Sequence, residues 1–243
     1  MKIGGWQKFS LIDYPGKIAA VIFTQGCNFR CPYCQNPELV VPELYSECIP
    51  ETDVMAFLYK RREQLEGVVV TGGEPTIHKD LPEFIKKIRE LGFAVKLDTN
   101  GSNPDVLEAL LAEKLIDYIA MDIKAPMCKY QDACGVKIDT EKVKRSVEVI
   151  LKSPVEYEFR TTLVKPLCVA EDLPAIREAI DGARRYTLQN FVRSGKVLNK
   201  RLLDETQYAE GDIARLKALW DKDPYVRWYD LLDDARRSPQ GNN

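Results

Sequence analysis

The sequence predicts an α/β fold, an incomplete (β/α)6 barrel of parallel strands, as a single domain over residues 1–243. Three observations predict it. Short apolar segments alternate six times with longer segments of helical periodicity. Polar residues follow the apolar segments at the end where parallel barrels carry their active sites. The length of 243 residues suits one such domain, and no linker divides the chain.

Continuous apolar segments, which are typical of buried parallel strands, predict the sheet. The predicted strands cover residues 19–25, 68–70, 94–98, 118–123, 156–164 and 185–192, with a further short strand at 226–229. Residues 1–16 are interpreted as a turn-rich N-terminal extension that leads into the first strand. Residues 236–243 are interpreted as a disordered tail.

Capping residues and apolar stripes predict the helices between the strands. Thr52 is expected to cap a helix that extends to about residue 64. Asp80 and Glu83 fit a capping box for a helix that ends before Gly92. Further helices are predicted to start at residues 103–104 and to include residues 143–151, 173–180 and 208–221.

Composition and charge narrow the classes of function. The net charge is −2, which argues against nucleic acid as a general partner because phosphate binding relies on a basic face. The longest apolar run, residues 18–23, is far too short to cross a bilayer, and the N-terminus lacks an apolar signal core. Seven cysteines without a secretory context fit a reducing compartment. We therefore expect a cytoplasmic protein that binds neither nucleic acid nor a membrane.

Three cysteines lie close together directly after the first predicted strand. Cys27, Cys31 and Cys34 are separated by three and then two residues. A 4Fe-4S cluster normally takes four thiolates, so three would leave one iron open, as catalytic metal sites require. A zinc site would need a fourth ligand, and the chain has a single histidine, His78. The odd count of seven cysteines argues against a disulfide framework.

The other cysteines are interpreted mainly as small buried hydrophobic residues. A second cluster at Cys128 and Cys134 is the alternative, although two ligands and no further pair disfavour it. The four residues concerned are Cys48, Cys128, Cys134 and Cys168.

Unusual polar residues end or follow the next predicted strands. Since the carboxyl ends of parallel strands meet on one face, we expect these residues to join the cysteines in one barrel mouth. Arg160 and Thr162 share one face of the fifth strand, where they either line a ligand pocket or form an inward polar pair. The strand-end residues are Gly72, Gly73, Glu74 and Pro75, then Asp98 and Thr99, then Asp122 and Lys124, with Gln189, Phe191 and Arg193 as weaker candidates.

The cysteine spacing CxxxCxxC, with Tyr33 before the third cysteine, resembles the signature of the radical S-adenosylmethionine (SAM) superfamily. The resemblance implies a barrel of radical SAM type in which Cys27, Cys31 and Cys34 hold a 4Fe-4S cluster. Residues 72–75 resemble the family's Gly-Gly-Glu-Pro motif, whose glycines let the backbone approach the methionine moiety of SAM and whose acceptors take its ammonium.

The resemblance also assigns roles to residues at the following strand ends. In glycyl-radical-enzyme activases, residues matching Asp98, Thr99 and Asp122 help to hold a monovalent cation beside the SAM carboxylate, and a lysine matching Lys124 approaches SAM. From the residues alone, Lys124 and Asp122 also fit a buried ion pair. The implied cofactor-binding residues are Tyr33, Gly72, Gly73, Glu74, Asp98, Thr99, Asp122, Lys124, Arg160 and Thr162.

Residues 9–16 and 23–38 together resemble the activating protein of anaerobic ribonucleoside-triphosphate reductase. This implies that a flavodoxin- or ferredoxin-type donor reduces the cluster, that SAM is cleaved, and that a glycyl radical forms on the reductase. Asp13 matches an acidic residue that contacts the glycyl loop in pyruvate formate-lyase activase, although an Asx-type turn explains it equally well. Gln35 stands where related activases often carry histidine.

Other functions stay open at this stage. A radical SAM enzyme could act on another glycyl radical enzyme or on a small molecule, as a deazaguanine synthase does. A non-catalytic module with structural zinc is the third hypothesis, and it leaves the polar residues at the strand ends without a role.

Overall fold

The computed structural model describes residues 1–192, 196–204, 207–209, 211–212, 216 and 226–229. Within these residues, one eight-stranded sheet has its strands in chain order. The strands are β1 (Ile3–Ser10), β2 (Ala19–Thr24), β3 (Gly67–Gly72), β4 (Ala94–Thr99), β5 (Tyr118–Asp122), β6 (Glu156–Leu163), β7 (Tyr186–Asn190) and β8 (Val226–Tyr229). β2 to β8 run parallel, and β1 pairs antiparallel with β2. The predicted parallel barrel is confirmed, and it stays open because no described ladder joins β8 to β1.

Helices fill the crossovers that parallel neighbours require. From β2 to β7, each crossover contains at least one helix. Each described helix is too short or too polar to span a bilayer. The helices are α1 (Pro37–Val40), α2 (Glu51–Arg61), α3 (Leu81–Glu90), α4 (Pro104–Ala112), α5 (Tyr130–Cys134), α6 (Thr140–Leu151) and α7 (Leu173–Ala179).

The N-terminal segment differs from its interpretation as a turn-rich extension, because most of it forms β1. Only Ile3 and Ser10, the two ends of β1, are buried, and the pairing with β2 is interrupted by two register shifts. An edge strand of this kind lacks the alternating pattern of a half-buried strand. Its glycines, Gly4 and Gly5, also argue against a strand on propensity alone.

Two predicted helix caps are wrong. α2 begins at Glu51 after Pro50, so Thr52 lies inside the helix. Asp80 does precede α3, but its side chain makes no hydrogen bond to the helix, and its carboxylate lies 2.6 Å from the α-ammonium of Met1. Most of the predicted helix at residues 208–221, and the whole tail at 236–243, fall outside the described residues.

The described residues form a large and a small apolar core. The large core lies between the sheet and the helices and includes Phe84 and Ile85 of α3. The small core lies inside the barrel at the amino ends of the strands, where Tyr14 packs edge-on against Tyr118 with ring centroids 5.9 Å apart. This apolar layer fills one end of the barrel, and charged side chains such as Lys96, Asp98 and Arg160 lie inside the barrel on the side toward the carboxyl ends of the strands. The small core consists of Tyr14, Ala19, Val21, Val69, Tyr118 and Ala120.

Substitution Ile85→Ala should lower the free energy of unfolding by about 2 to 5 kcal/mol, because the side chain is 0% exposed and its removal leaves a cavity. The adjacent Lys86→Ala serves as a control. Lys86 is 39% exposed and forms only surface ion pairs, so its loss should destabilise the protein far less than the loss of Ile85. Urea unfolding measures both, and equal losses would contradict the assignment of the core.

Candidate active site

A cavity of about 520 Å³ opens at the carboxyl ends of the parallel strands. All fourteen residues that the sequence assigns to the cluster, to SAM or to the substrate line this cavity, so these residues do converge as expected. The ligand contacts of these residues stay predictions. Arg193 lies outside the described residues, whereas the other two weak candidates, Gln189 and Phe191, also line the wall. The predicted residues are Asp13, Cys27, Cys31, Tyr33, Cys34, Gly72, Gly73, Glu74, Asp98, Thr99, Asp122, Lys124, Arg160 and Thr162.

The cysteine loop, residues 27–34, has irregular backbone that is held by its own polar groups. The guanidinium of Arg30 donates hydrogen bonds to the carbonyls of Cys27, at 2.7 Å, and Phe29, at 2.8 Å. The Phe29 N–H points at Cys27 Sγ, at 3.3 Å, and the Cys34 N–H donates to the Cys31 carbonyl, at 2.9 Å. These bonds satisfy backbone groups that no strand or helix pairs, and they turn the three thiols toward one cavity.

Side-chain amides tie the cysteine loop to the loop after β4. Asn28 donates to Ser102 Oγ at 2.8 Å and accepts from Asn100 Nδ2 at 2.9 Å. The contact between these two asparagines could not be predicted from the sequence, because they lie far apart along the chain. Backbone N–H groups from the segment after β7 support the other side of the cysteine loop. These are Leu198 N–H to Cys34 O at 3.0 Å and Asn199 N–H to Pro32 O at 2.8 Å.

Cys134, at the end of α5, is a fourth thiol beside the site. Its carbonyl accepts from the Arg30 N–H at 2.8 Å, and its thiol lies within hydrogen-bonding reach of Cys31. That thiol contact lowers the pKa of Cys31 and raises the pKa of Cys134. Cys134 is fully buried whereas Cys128 is exposed, so the two do not form the second cluster considered from the sequence.

The other two thiols of the loop resist ionisation in the metal-free chain. Burial raises the pKa of Cys27 to about 12 and that of Cys34 to about 11. Because thiolates are the ligands of iron and zinc, metal binding must displace these protons. Among the described residues, no three His, Cys, Asp or Glu side chains are arranged to hold one metal ion. The three thiols thus fit a cluster, whose separate irons each take one thiolate, better than a single zinc ion.

The glycine loop, residues 72–75, packs against the end of β2. The Gly73 N–H donates to the Thr24 carbonyl and the Glu74 N–H to the Gly26 carbonyl, both at 2.8 Å. A Cβ on Gly73 would lie 1.9 Å from the Gly26 oxygen, and one on Gly72, where φ is +112°, would lie 2.3 Å from the Thr24 nitrogen. The close contact with the end of β2 therefore requires glycine at both positions. This requirement is separate from the SAM-binding role that the resemblance implies.

Glu74 is buried, and its carboxylate joins two loops. Oε1 accepts from the Thr99 hydroxyl at 2.8 Å and from the N–H and hydroxyl of Thr76 at 3.1 and 2.5 Å. Oε2 accepts from the Asn100 N–H at 2.6 Å. Burial raises the pKa of Glu74, and these donors oppose that effect. The sequence predicts contact with SAM here, and in the structure the carboxylate also fixes the glycine loop to the end of β4.

Charged side chains form a chain of ion pairs across the barrel interior. Arg160 on β6 lies between two carboxylates, with Nε 2.8 Å from Asp122 and Nη1 3.2 Å from Asp98. Lys124 lies 2.9 Å from Asp122, so the ion pair considered from the sequence forms, although both side chains are partly exposed, and Lys96 lies 2.5 Å from Asp98. Although burial opposes the effect, the neighbouring cations hold the pKa of both carboxyls below the usual range.

Other predicted residues complete the cavity wall. Among the described atoms, the buried hydroxyl of Tyr33 has no hydrogen-bond partner, and the Lys124 ammonium lies 6.0 Å from its ring centroid. The Asp13 N–H donates to Ser10 Oγ at 3.1 Å, and the Ser10 hydroxyl donates to the Asp13 carboxylate, so these bonds form a turn in which Ser10, not Asp13, accepts from the backbone. Gln35 donates to the Val192 carbonyl at 2.8 Å.

Substitution Gly73→Ala should destabilise the protein by about 3 kcal/mol, because the added methyl group would overlap the Gly26 carbonyl unless the backbone moves. Gly5→Ala in β1 is the matched control, since its nearest neighbour would be 3.8 Å away. We expect that variant to stay within about 1 kcal/mol of the wild type. Urea unfolding would compare them, and an equally stable Gly73→Ala protein would refute the close contact.

Comparison with known proteins identifies the family. Residues 21–167 match the model of the radical SAM superfamily. A Methanocaldococcus jannaschii protein, named provisionally as a glycyl-radical enzyme activating enzyme, is 36% identical over 195 residues, which cover 78% of this chain and 79% of that protein. A 7-carboxy-7-deazaguanine synthase of Methanopyrus kandleri is 30% identical over 178 residues, 63% of this chain and 70% of that enzyme.

Solved structures share the fold at low sequence identity. SuiB from Streptococcus suis, in its structure with bound S-adenosylmethionine, superposes with a TM-score of 0.63 at 15% identity, over 86% of this chain and 51% of SuiB. The chain thus spans about half the length of that protein. The family match covers the cysteine loop, the glycine loop and the strands that carry them, and this chain therefore belongs to the radical SAM superfamily.

Proposed function

We propose that the chain is a glycyl-radical-enzyme activase and that its target is anaerobic ribonucleoside-triphosphate reductase. The observation that carries the activase assignment is the 36% identity, over 78% of the chain, to the archaeal relative named for that activity. The choice of reductase rests on the resemblance of residues 9–16 and 23–38. A flavodoxin- or ferredoxin-type donor would supply the electron.

The 4Fe-4S cluster and SAM are the cofactors of this superfamily, and together they supply the one-electron chemistry that removes a hydrogen atom from a substrate carbon. In this chain, Cys27, Cys31 and Cys34 would hold the cluster and leave one iron open for SAM. The glycine loop and Tyr33 would line the space beside that iron. The apolar layer around Tyr14 keeps water from the closed end of the barrel.

Exposed apolar side chains near the cavity favour a protein, and not a small molecule, as the substrate. Phe9, Leu11 and Ile12 are 55%, 64% and 44% exposed and precede Asp13, which lies on the cavity wall. Clustered exposed apolar residues mark protein contacts more often than sites for small polar ligands. We infer that this rim receives the segment of the partner that carries the glycine, with Asp13 next to it.

A small-molecule substrate is the second candidate, and the 30% identity to a deazaguanine synthase favours it. The cavity of about 520 Å³ is also large enough to admit a heterocycle. The two candidates differ in the final location of the radical, because an activase leaves it on a partner protein.

The deciding experiment is anaerobic reconstitution with iron and sulfide, followed by reduction with SAM in the presence of the reductase. Deoxyadenosine together with a glycine-centred doublet in the electron paramagnetic resonance spectrum of the reductase would establish the proposal. Deoxyadenosine without a protein radical would redirect the search toward another glycyl radical enzyme or a small molecule. Cluster-loaded protein that produces neither would overturn both candidates.

Substitution Cys34→Ala should lower bound iron and sulfide by tenfold or more relative to the wild type, in line with the roughly 10- to 100-fold losses typical of altered metal sites. Cys128→Ala is the control, because that thiol is exposed and does not line the cavity. Iron and sulfide analysis after reconstitution would check both variants. Equal cluster content in the two would contradict the ligand assignment.

A further inference from the structure

The family resemblance implies a monovalent cation held by residues matching Asp98, Thr99 and Asp122, and the side chains in this structure do not fit one. All four carboxylate oxygens already face a cationic group. Asp98 contacts Lys96 through Oδ1 and Arg160 through Oδ2, and Asp122 contacts Arg160 through Oδ1 and Lys124 through Oδ2.

The hydroxyl of Thr99 is also engaged by the protein. It donates to Glu74 at 2.8 Å and accepts from the Gly101 N–H at 3.1 Å. A cation bound here would have to compete with the Gly101 N–H for the Thr99 hydroxyl oxygen. That hydroxyl attaches the loop after β4 to the glycine loop. Alkali cations, as hard ions, require several free oxygen ligands, and these three side chains offer few.

The sheet fixes Arg160 in its bridging position. Arg160 and Asp122 are paired residues in the β5–β6 ladder, and Asp98 lies on the neighbouring strand β4. The planar guanidinium can donate in two directions at once, which a point charge such as lysine cannot do with fixed geometry. Glu158, also on β6, accepts from Thr187 at 3.0 Å and adds to the negative charge around Arg160.

We propose that the guanidinium of Arg160 takes the place of a monovalent cation in this chain, so that SAM binding requires neither Na⁺ nor K⁺. Arg160 acts as a positioning residue, since it neutralises Asp98 and Asp122 and joins their side chains on two neighbouring strands. The proposal concerns the SAM side of the cavity and does not depend on which molecule accepts the radical.

The test measures SAM affinity of the reconstituted protein in KCl, NaCl and choline chloride at equal ionic strength. The wild-type dissociation constant should agree within about twofold among the three salts, because only non-specific screening is left. Arg160→Gln should bind SAM about tenfold more weakly in choline chloride, and K⁺, Na⁺ or guanidinium should restore affinity. Arg145→Gln, which removes an exposed ion-paired arginine, should show neither effect.

A second measurement does not need the cluster. The thermal unfolding midpoint of the cluster-free wild type should be the same in the three salts, whereas that of Arg160→Gln should be lower and should rise with K⁺ or Na⁺. Arg160→Lys should stay independent of the salt cation, because it keeps the charge, and should bind SAM with intermediate affinity. Saturable dependence of the wild type on K⁺ or Na⁺ would overturn the proposal. Weak SAM binding by Arg160→Gln that no cation restores would also overturn it.

Discussion

The backbone of Gly73 lies against the carbonyl of Gly26, with space for a hydrogen atom and none for a methyl group. The arrangement of the site depends on this contact, because the cysteine loop has no strand or helix of its own to position it. The parallel register of β2 and β3 pairs Thr24 with Gly72 and brings the two loops together. Asn28 and Arg30 then extend the attachment to the loop after β4 and to α5. Residues that lie far from the three cysteines in sequence thus orient their thiols.

The sequence predicts the fold well where the physical signal is local. β2, β3 and β5 are buried on both faces, so each appears as a nearly uninterrupted apolar run, and the polar residues that follow mark its carboxyl end. β1 could not be found this way, since it pairs on one side only and contains two adjacent glycines. The two cap predictions failed for different reasons. α2 begins at Glu51, one residue before Thr52, whereas the Asp80 carboxylate contacts the Met1 ammonium instead of the helix.

The residues of the site could be predicted more completely than their partners. The predicted cluster, SAM and substrate residues all line the cavity, because β/α topology alone brings strand ends together. The contacts among them depend on register, which no single segment encodes. That Arg160 reaches both Asp98 and Asp122 follows from the alignment of three strands. Cys134 gives no sequence signal of its nearness to Cys31, since a crossover helix carries it there from far along the chain.

The ion-paired layer of Lys96, Asp98, Asp122 and Arg160 occupies a level where barrels that lack a site hold branched aliphatic side chains. Buried ion pairs seldom stabilise a protein more than well-packed apolar residues of similar volume do. Under the proposed role of this layer in SAM binding, selection for heat resistance and selection for catalysis act on it in opposite directions. We therefore expect laboratory evolution for thermostability alone to replace these residues early, whereas selection that includes turnover should leave them in place and improve the outer helices instead.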